Sequence, residues 1–188
     1  MTILRSATDP RWTSVAVAAF ADTLADHAHC EKKAAASALK LVADHPDRPA
    51  LVRALARLAQ EELHHFLGVL AEMGRLGIAL PPDAGDPYAQ ALVGLVRGGA
   101  EALVDRLLVS ALIEARSCER LELLAQALPD PRLRELYAKL ARSEAGHERL
   151  FVELALGEGG EPARARLEAL ARAEAEIVAG LPLLPRVH

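Results

Sequence analysis

The sequence predicts an all-α fold, and three observations carry the prediction. Ala, Leu, Arg and Glu dominate the 188 residues, while aromatics make up only 3% and β-branched residues are few, a mix that favours helices over sheets. Apolar residues recur at spacings of three and four, and no alternating run of useful strand length occurs. Pro and Gly gather at a few places that punctuate these periodic stretches.

Residues 1–10 read as an irregular lead-in closed by Asp9-Pro10. A helical pattern runs from about Arg11 to about Ala43, and His45-Pro46 ends it. The next helix starts near Asp47, an N-cap candidate, and runs to about Leu76, with Gly77 as C-cap candidate. Residues 77–87, GIALPPDAGDP, are loop. A third helical region covers about Tyr88 to Leu128, and Gly98-Gly99 divides it into a short helix and a long one. Pro129-Asp130-Pro131 separates it from a fourth helix, about Arg132 to Leu156. A turn from Gly157 to Pro162 leads to a last helix, about Ala163 to Ala179, and a tail containing proline.

The first and second long helices, and the third and fourth, are joined by short links that make antiparallel hairpins. The segment between the two pairs is long enough for a crossover. The prediction is therefore a ferritin-like four-helix bundle with additional short helices. One domain spans 1–188, its core bundle at about 11–156 and its C-terminal helix at about 163–179.

Net charge is −4 with no long basic run, so any nucleic-acid contact must come from a local patch. Cys30 and Cys118 form no CxxC pair and read as free, buried thiols of a reducing cytosol. The stretch MTILRSATDPRW has no apolar core of signal-peptide length, and no run of 18 apolar residues occurs. The expectation is a soluble, cytoplasmic protein that spans no membrane.

Four acids interrupt the core stripes. On the second long helix the stripe is Leu51, Leu55, Leu58, Val69, Met73 and Leu76, and its gap is filled by Glu62 and His65. Glu61 and His64 are the alternative register, which abandons the stripe. On the fourth helix, Leu133, Leu136, Leu140, Phe151 and Leu154 flank Glu144 and His147. The third carries Leu107, Ala111, Leu121 and Ala125, with Glu114 and Cys118 between them. The first carries Leu24, Ala28, Ala35, Ala38 and Val42 around Glu31.

The order is Glu, Glu-x-x-His, Glu, Glu-x-x-His, one motif per helix. A weak internal repeat supports it: ARLAQE at 56–61 resembles AKLARS at 138–143. Four carboxylates in a bundle core cannot all ionise unaided, because burial and mutual repulsion raise their pKa values. Two divalent cations cancel that charge, and carboxylate with imidazole suits iron or manganese better than a structural zinc site. A lone Glu-x-x-His is a weak signal. Two on core stripes, with single core glutamates on the other helices, match the ligand pattern of ferritin-like di-iron and di-manganese bundles.

The words AHCEKKAA (28–35), QEELHHF (60–66), IEARSCER (113–120) and SEAGH (143–147) resemble those of the MiaE family, the tRNA 2-methylthio-N6-isopentenyladenosine hydroxylases. The resemblance covers about residues 15–156. HCEKKAA and IEARSCER separate this family from ferritins, bacterioferritins and rubrerythrins. The resemblance implies a non-haem di-iron monooxygenase with two iron ions and O₂ as co-substrate. It would hydroxylate the isopentenyl tail of the modified adenosine beside the anticodon. The family's ligands fall by position on Glu31, Glu62, His65, Glu114, Glu144 and His147, the residues the periodicity selects. Rubredoxin-like cysteines and a dinucleotide fingerprint are both lacking, so electrons are expected from a separate reductase. The protein itself is expected to be a monomer or small homo-oligomer.

Lys32, Lys33, Arg116 and Arg120 flank the metal-bearing positions and are the candidate tRNA rim; the bland alternative is a solvated charged face. Rival readings are a ferroxidase or iron-storage protein, a manganese catalase, and a radical-generating subunit that would use Tyr137. A bundle that only binds a partner leaves the six core ligands unexplained.

Overall fold

A computed structural model describes residues 2–187. Six helices follow one another: α1 (Arg11–Ala18), α2 (Phe20–Asp44), α3 (Pro49–Leu76), α4 (Pro87–Val93), α5 (Ala102–Ala127) and α6 (Pro131–Gly180), with a 3₁₀ turn at Gly99–Glu101. No strand occurs among the described residues. The chain divides into two compact units. Among the described residues the larger comprises 2–17 and 85–184; the smaller comprises 18–84 and 185–187.

The smaller unit is built on the α2–α3 hairpin. Leu24, Ala28, Ala35, Ala38 and Leu41 of α2 are buried, as are Leu51, Leu55, Leu58, Val69 and Met73 of α3. The predicted stripe ends at Met73, because Leu76 is 38% exposed. Arg48, not Asp47, is the N-cap of α3. Pro49 occupies the first turn, where its fixed φ fits and its missing N–H is no loss. Gly77 closes α3 at φ 69°, ψ 24°, and the Ile78 amide bonds back to the Met73 carbonyl.

The first predicted helix is two. Ala19 interrupts it, and its carbonyl accepts from the Asp22 and Thr23 amides as α2 starts. Neither Gly nor Pro marks this break in the sequence.

In the larger unit α5 packs along α6. Leu107, Leu108, Ala111, Leu112, Leu121 and Leu124 are buried on α5, and Leu133, Tyr137, Leu140, Ala141, Phe151 and Ala155 on α6. The predicted turn at 157–162 shrinks to one residue: Gly160, at φ 59°, ψ −146°, kinks α6 while helix continues on both sides. At Gly159 a Cβ would sit 2.9 Å from Ala163 Cβ and 3.1 Å from Val104 Cγ2, so glycine allows the close approach. Asp105, fully buried, anchors the far end: Arg97 and Arg166 both donate to it, Arg97 Nη2 at 2.7 Å and Arg166 Nη2 at 2.9 Å.

Candidate metal centre

Each unit presents one carboxylate from its first long helix and a Glu-x-x-His pair from its second. In the smaller unit these are Glu31 of α2 with Glu62 and His65 of α3. In the larger they are Glu114 of α5 with Glu144 and His147 of α6. Within each trio the ligand atoms lie within 4.8 Å of one another. Glu-x-x-His places both side chains on one helix face, one turn apart. The hairpin then brings the partner glutamate opposite.

In the smaller unit His65 Nδ1 lies 3.4 Å from Glu62 Oε2 and 3.5 Å from Glu31 Oε2. Glu62 is 1% exposed and Glu31 is 4%. Glu61 and His64 are exposed, so the stripe register is the one folded inward. Burial lowers the pKa of His65, but the Glu31 and Glu62 carboxylates outweigh it and raise the pKa to about 10. In the larger unit His147 Nδ1 lies 3.8 Å from Glu144 Oε2 and 4.0 Å from Glu114 Oε2, and all three residues are buried.

Sequence reasoning missed His27. Its Nε2 lies 2.6 Å from Glu31 Oε1, and the residue is 1% exposed. This fixes one oxygen of Glu31 while Oε2 faces His65. The signal was present: His27 stands one turn before Glu31, on the same face.

Two buried carboxylates and an imidazole per unit form an oxygen-and-nitrogen donor set of the kind that iron and manganese take. Burying that charge is costly without a cation to match it. The donor set therefore fits a di-metal centre of the iron or manganese type.

Cys118 lines a cavity of about 330 Å³ with Leu4, Glu119, Glu122, Glu148 and Arg149. Its thiol donates to the Ala141 carbonyl at 3.3 Å. Burial, with the carboxylates of Glu122, Glu148, Glu144 and Glu119, pushes its pKa up to about 12. Cys30 is a buried free thiol.

The four-cation rim needs correction. Lys32 and Lys33 are part-exposed, with side chains 44% and 34% accessible. Arg116 is fully buried. It donates through Nε and Nη2 to Glu174 Oε1, at 3.0 and 2.8 Å, and through Nη1 to Glu119 and Thr8. Tyr88 donates to the same Glu174 oxygen at 2.9 Å. Arg120 is 8% exposed and stacks 5.0 Å over the Trp12 ring. The reason lies outside the motifs: the C-terminal part of α6 supplies Glu174, and the N-terminal segment supplies Thr8 and Trp12. Together they turn Arg116 and Arg120 inward, and neither offers a surface to RNA.

The family model for tRNA-(MS[2]IO[6]A)-hydroxylase (MiaE) matches residues 1–188. The chain belongs to the MiaE family. A family relative from Pseudomonas putida, a tRNA 2-(methylsulfanyl)-N(6)-isopentenyladenosine(37) hydroxylase, is 42% identical over 173 residues, covering 91% of this chain and 84% of that protein. A relative of the same name from Salmonella typhimurium is 35% identical over 136 residues, 72% of this chain and 50% of its own length. Among solved structures, Protein 43 with aldehyde deformylating oxygenase activity from Synechococcus is similar at TM-score 0.93 and 40% identity. It covers 100% of this chain and 96% of its own. With the helix inventory, this likeness makes the fold all-α and ferritin-like, as the sequence predicts. No helix among the described residues is long and apolar enough to cross a membrane.

Proposed function

We propose that this MiaE-family chain is an O₂-dependent, non-haem di-iron monooxygenase. Its reaction hydroxylates the isopentenyl group of 2-methylthio-N6-isopentenyladenosine beside the anticodon of tRNA. The observation that carries the reading is the repeated trio: each hairpin buries one Glu opposite a Glu-x-x-His pair. In this reading the chain is a single ferritin-like domain, and Glu31, Glu62, His65, Glu114, Glu144 and His147 hold two irons.

The irons supply the activation of O₂ and the oxidation of an unactivated C–H bond. The protein's residues do the rest. His27 fixes the Glu31 carboxylate so that one oxygen stays directed at His65. Leu58 and Val69 on α3, and Leu140 and Phe151 on α6, flank the ligands one turn to either side and keep water from them. The same apolar surroundings suit a branched alkyl tail. Lys32 and Lys33 meet the tRNA backbone. In this reading electrons come from a separate reductase, a tRNA substrate supports a cytoplasmic location, and the protein works as a monomer or small homo-oligomer.

The likeness to an aldehyde deformylating oxygenase supports a second reading, in which the same donor set acts on an aldehyde. One experiment separates them. The iron-loaded protein, with a reductant and O₂, is offered tRNA bearing the modified adenosine and, separately, a long-chain aldehyde. The first reading requires one added oxygen on the isopentenyl nucleoside and no turnover of aldehyde. Formate from the aldehyde with unchanged nucleosides would reject it.

A further inference from the structure

One turn of α2 aims three nitrogen-bearing side chains at a single carboxylate. Lys33 Nζ lies 3.7 Å from Asp83 Oδ1, Lys32 Nζ lies 3.8 Å from Asp83 Oδ2, and His29 Nδ1 lies 4.0 Å from Asp83 Oδ2. Asp83 belongs to the loop of residues 77–84 in the same unit. His29 is buried and serves the arrangement rather than charging it. Its Nδ1 accepts from Lys32 Nζ at 3.0 Å, so its Nε2–H donates to the Pro81 carbonyl at 2.9 Å. The imidazole ties Lys32 to the loop.

Two lysines therefore share one carboxylate, and one positive charge is left over. The two lysine contacts exceed hydrogen-bond length, so Asp83 offsets charge without saturating the donors. Lys33 Nζ is buried and has no hydrogen-bond acceptor among the described residues. An ammonium desolvated without an acceptor is costly, and such groups persist where a ligand completes them. The lysines follow Glu31 directly on α2.

We propose that Lys32 and Lys33 form a binding site for an RNA backbone phosphate, and that Asp83 fills it as a displaceable carboxylate in the free protein. The proposal rests on the tRNA reading above and adds a mechanism to it. A phosphodiester brings two non-bridging oxygens to the lysines, Asp83 withdraws, and residues 77–84 keep only the His29–Pro81 hydrogen bond as their anchor on α2. A nucleic acid with spaced phosphates is thus admitted at the cost of opening the loop, and a weak anion is turned away.

The test uses the iron-loaded protein, a tRNA carrying the modified adenosine, and binding measured at two salt concentrations. Asp83→Asn removes the competitor and is expected to bind about two- to fivefold more tightly, the range of an exposed ion pair. Lys33→Ala is expected to bind more weakly, with a log–log salt slope shallower by about 0.7–0.9. In the parent, amide hydrogen exchange over residues 77–84 should quicken when tRNA binds, a readout that needs no variant to fold. Asp83→Asn binding no better than the parent, or a loop protected by tRNA, overturns the displacement. Unchanged tRNA affinity in Lys33→Ala, with turnover lost only when a protein reductase supplies the electrons, assigns the lysines to an acidic protein and overturns the phosphate site. A parent that binds no tRNA at all overturns the substrate reading as well.

Discussion

Replacing His27 with alanine removes the imidazole that holds Glu31 from behind. The bond is short, at 2.6 Å, both partners are almost fully buried, and the acceptor is a carboxylate. Charge-assisted hydrogen bonds of this kind contribute about 1.5–3 kcal/mol. In the metal-free protein His27→Ala should therefore lose about that much stability. In the metal-loaded protein Glu31 must be ordered at the moment of binding, and outer partners of metal ligands typically govern about 10–100-fold in affinity. Iron affinity is measured by competition with a chromophoric chelator, alongside circular dichroism to confirm the fold. His27→Gln, which retains a donor, should recover part of the loss. A folded His27→Ala protein with the parent's iron affinity would refute the argument that His27 positions Glu31.

Glu62→Ala or Glu144→Ala should lose metal and hydroxylase activity together, whereas Glu61→Ala should keep parental metal content by elemental analysis, because Glu61 is exposed. Chelation should lower the melting temperature by about 5–10 °C, since ligand at a hundredfold excess over Kd adds about 2.7 kcal/mol; an unchanged melt would mean that the acids need no cation. Arg116→Ala should cost about 3–5 kcal/mol in denaturant unfolding by leaving the buried Glu174 carboxylate without its cation, with the Tyr88 hydroxyl still donating to it. Its effect on the salt dependence of tRNA binding should be nil if the protein is kept folded. Arg97 and Arg166 overcome the burial of Asp105 and hold its pKa well below the usual carboxylate value. A depressed folded pKa stabilises above the unfolded value and is lost as pH falls, so acid unfolding below about pH 4 should be blunted in Asp105→Asn, measured by pH titration of the melt.

The six candidate ligands are legible because each interrupts an otherwise apolar stripe. The stripe on α3 runs through Glu62 and His65 and excludes Glu61 and His64, and exposure follows that division: Glu62 is buried and His65 part-covered, whereas Glu61 and His64 are exposed. Gly77 was legible because a left-handed C-cap has a strong residue preference. Three features were not. The break at Ala19 carries no Gly or Pro and is a tertiary choice. The kink at Gly160 lies within the six residues that read as a turn, yet helix continues to within one residue of it on either side. The arginines of IEARSCER read as part of a tRNA rim because the groups that bury Arg116, Thr8 and Glu174, lie 108 and 58 positions away in sequence. Helical periodicity reports which side of a helix is polar. It cannot report that a distant acid has turned that side into core.

The central claim, that the six candidate ligands support hydroxylation of a tRNA nucleoside, is tested most directly in cells lacking any such hydroxylase. Their tRNA is digested and its nucleosides resolved by mass after expression of the parent chain or of Glu144→Ala. The account predicts the hydroxylated isopentenyl nucleoside with the parent and only its unhydroxylated precursor with Glu144→Ala. The precursor alone in both strains, or the hydroxylated product in both, would contradict it.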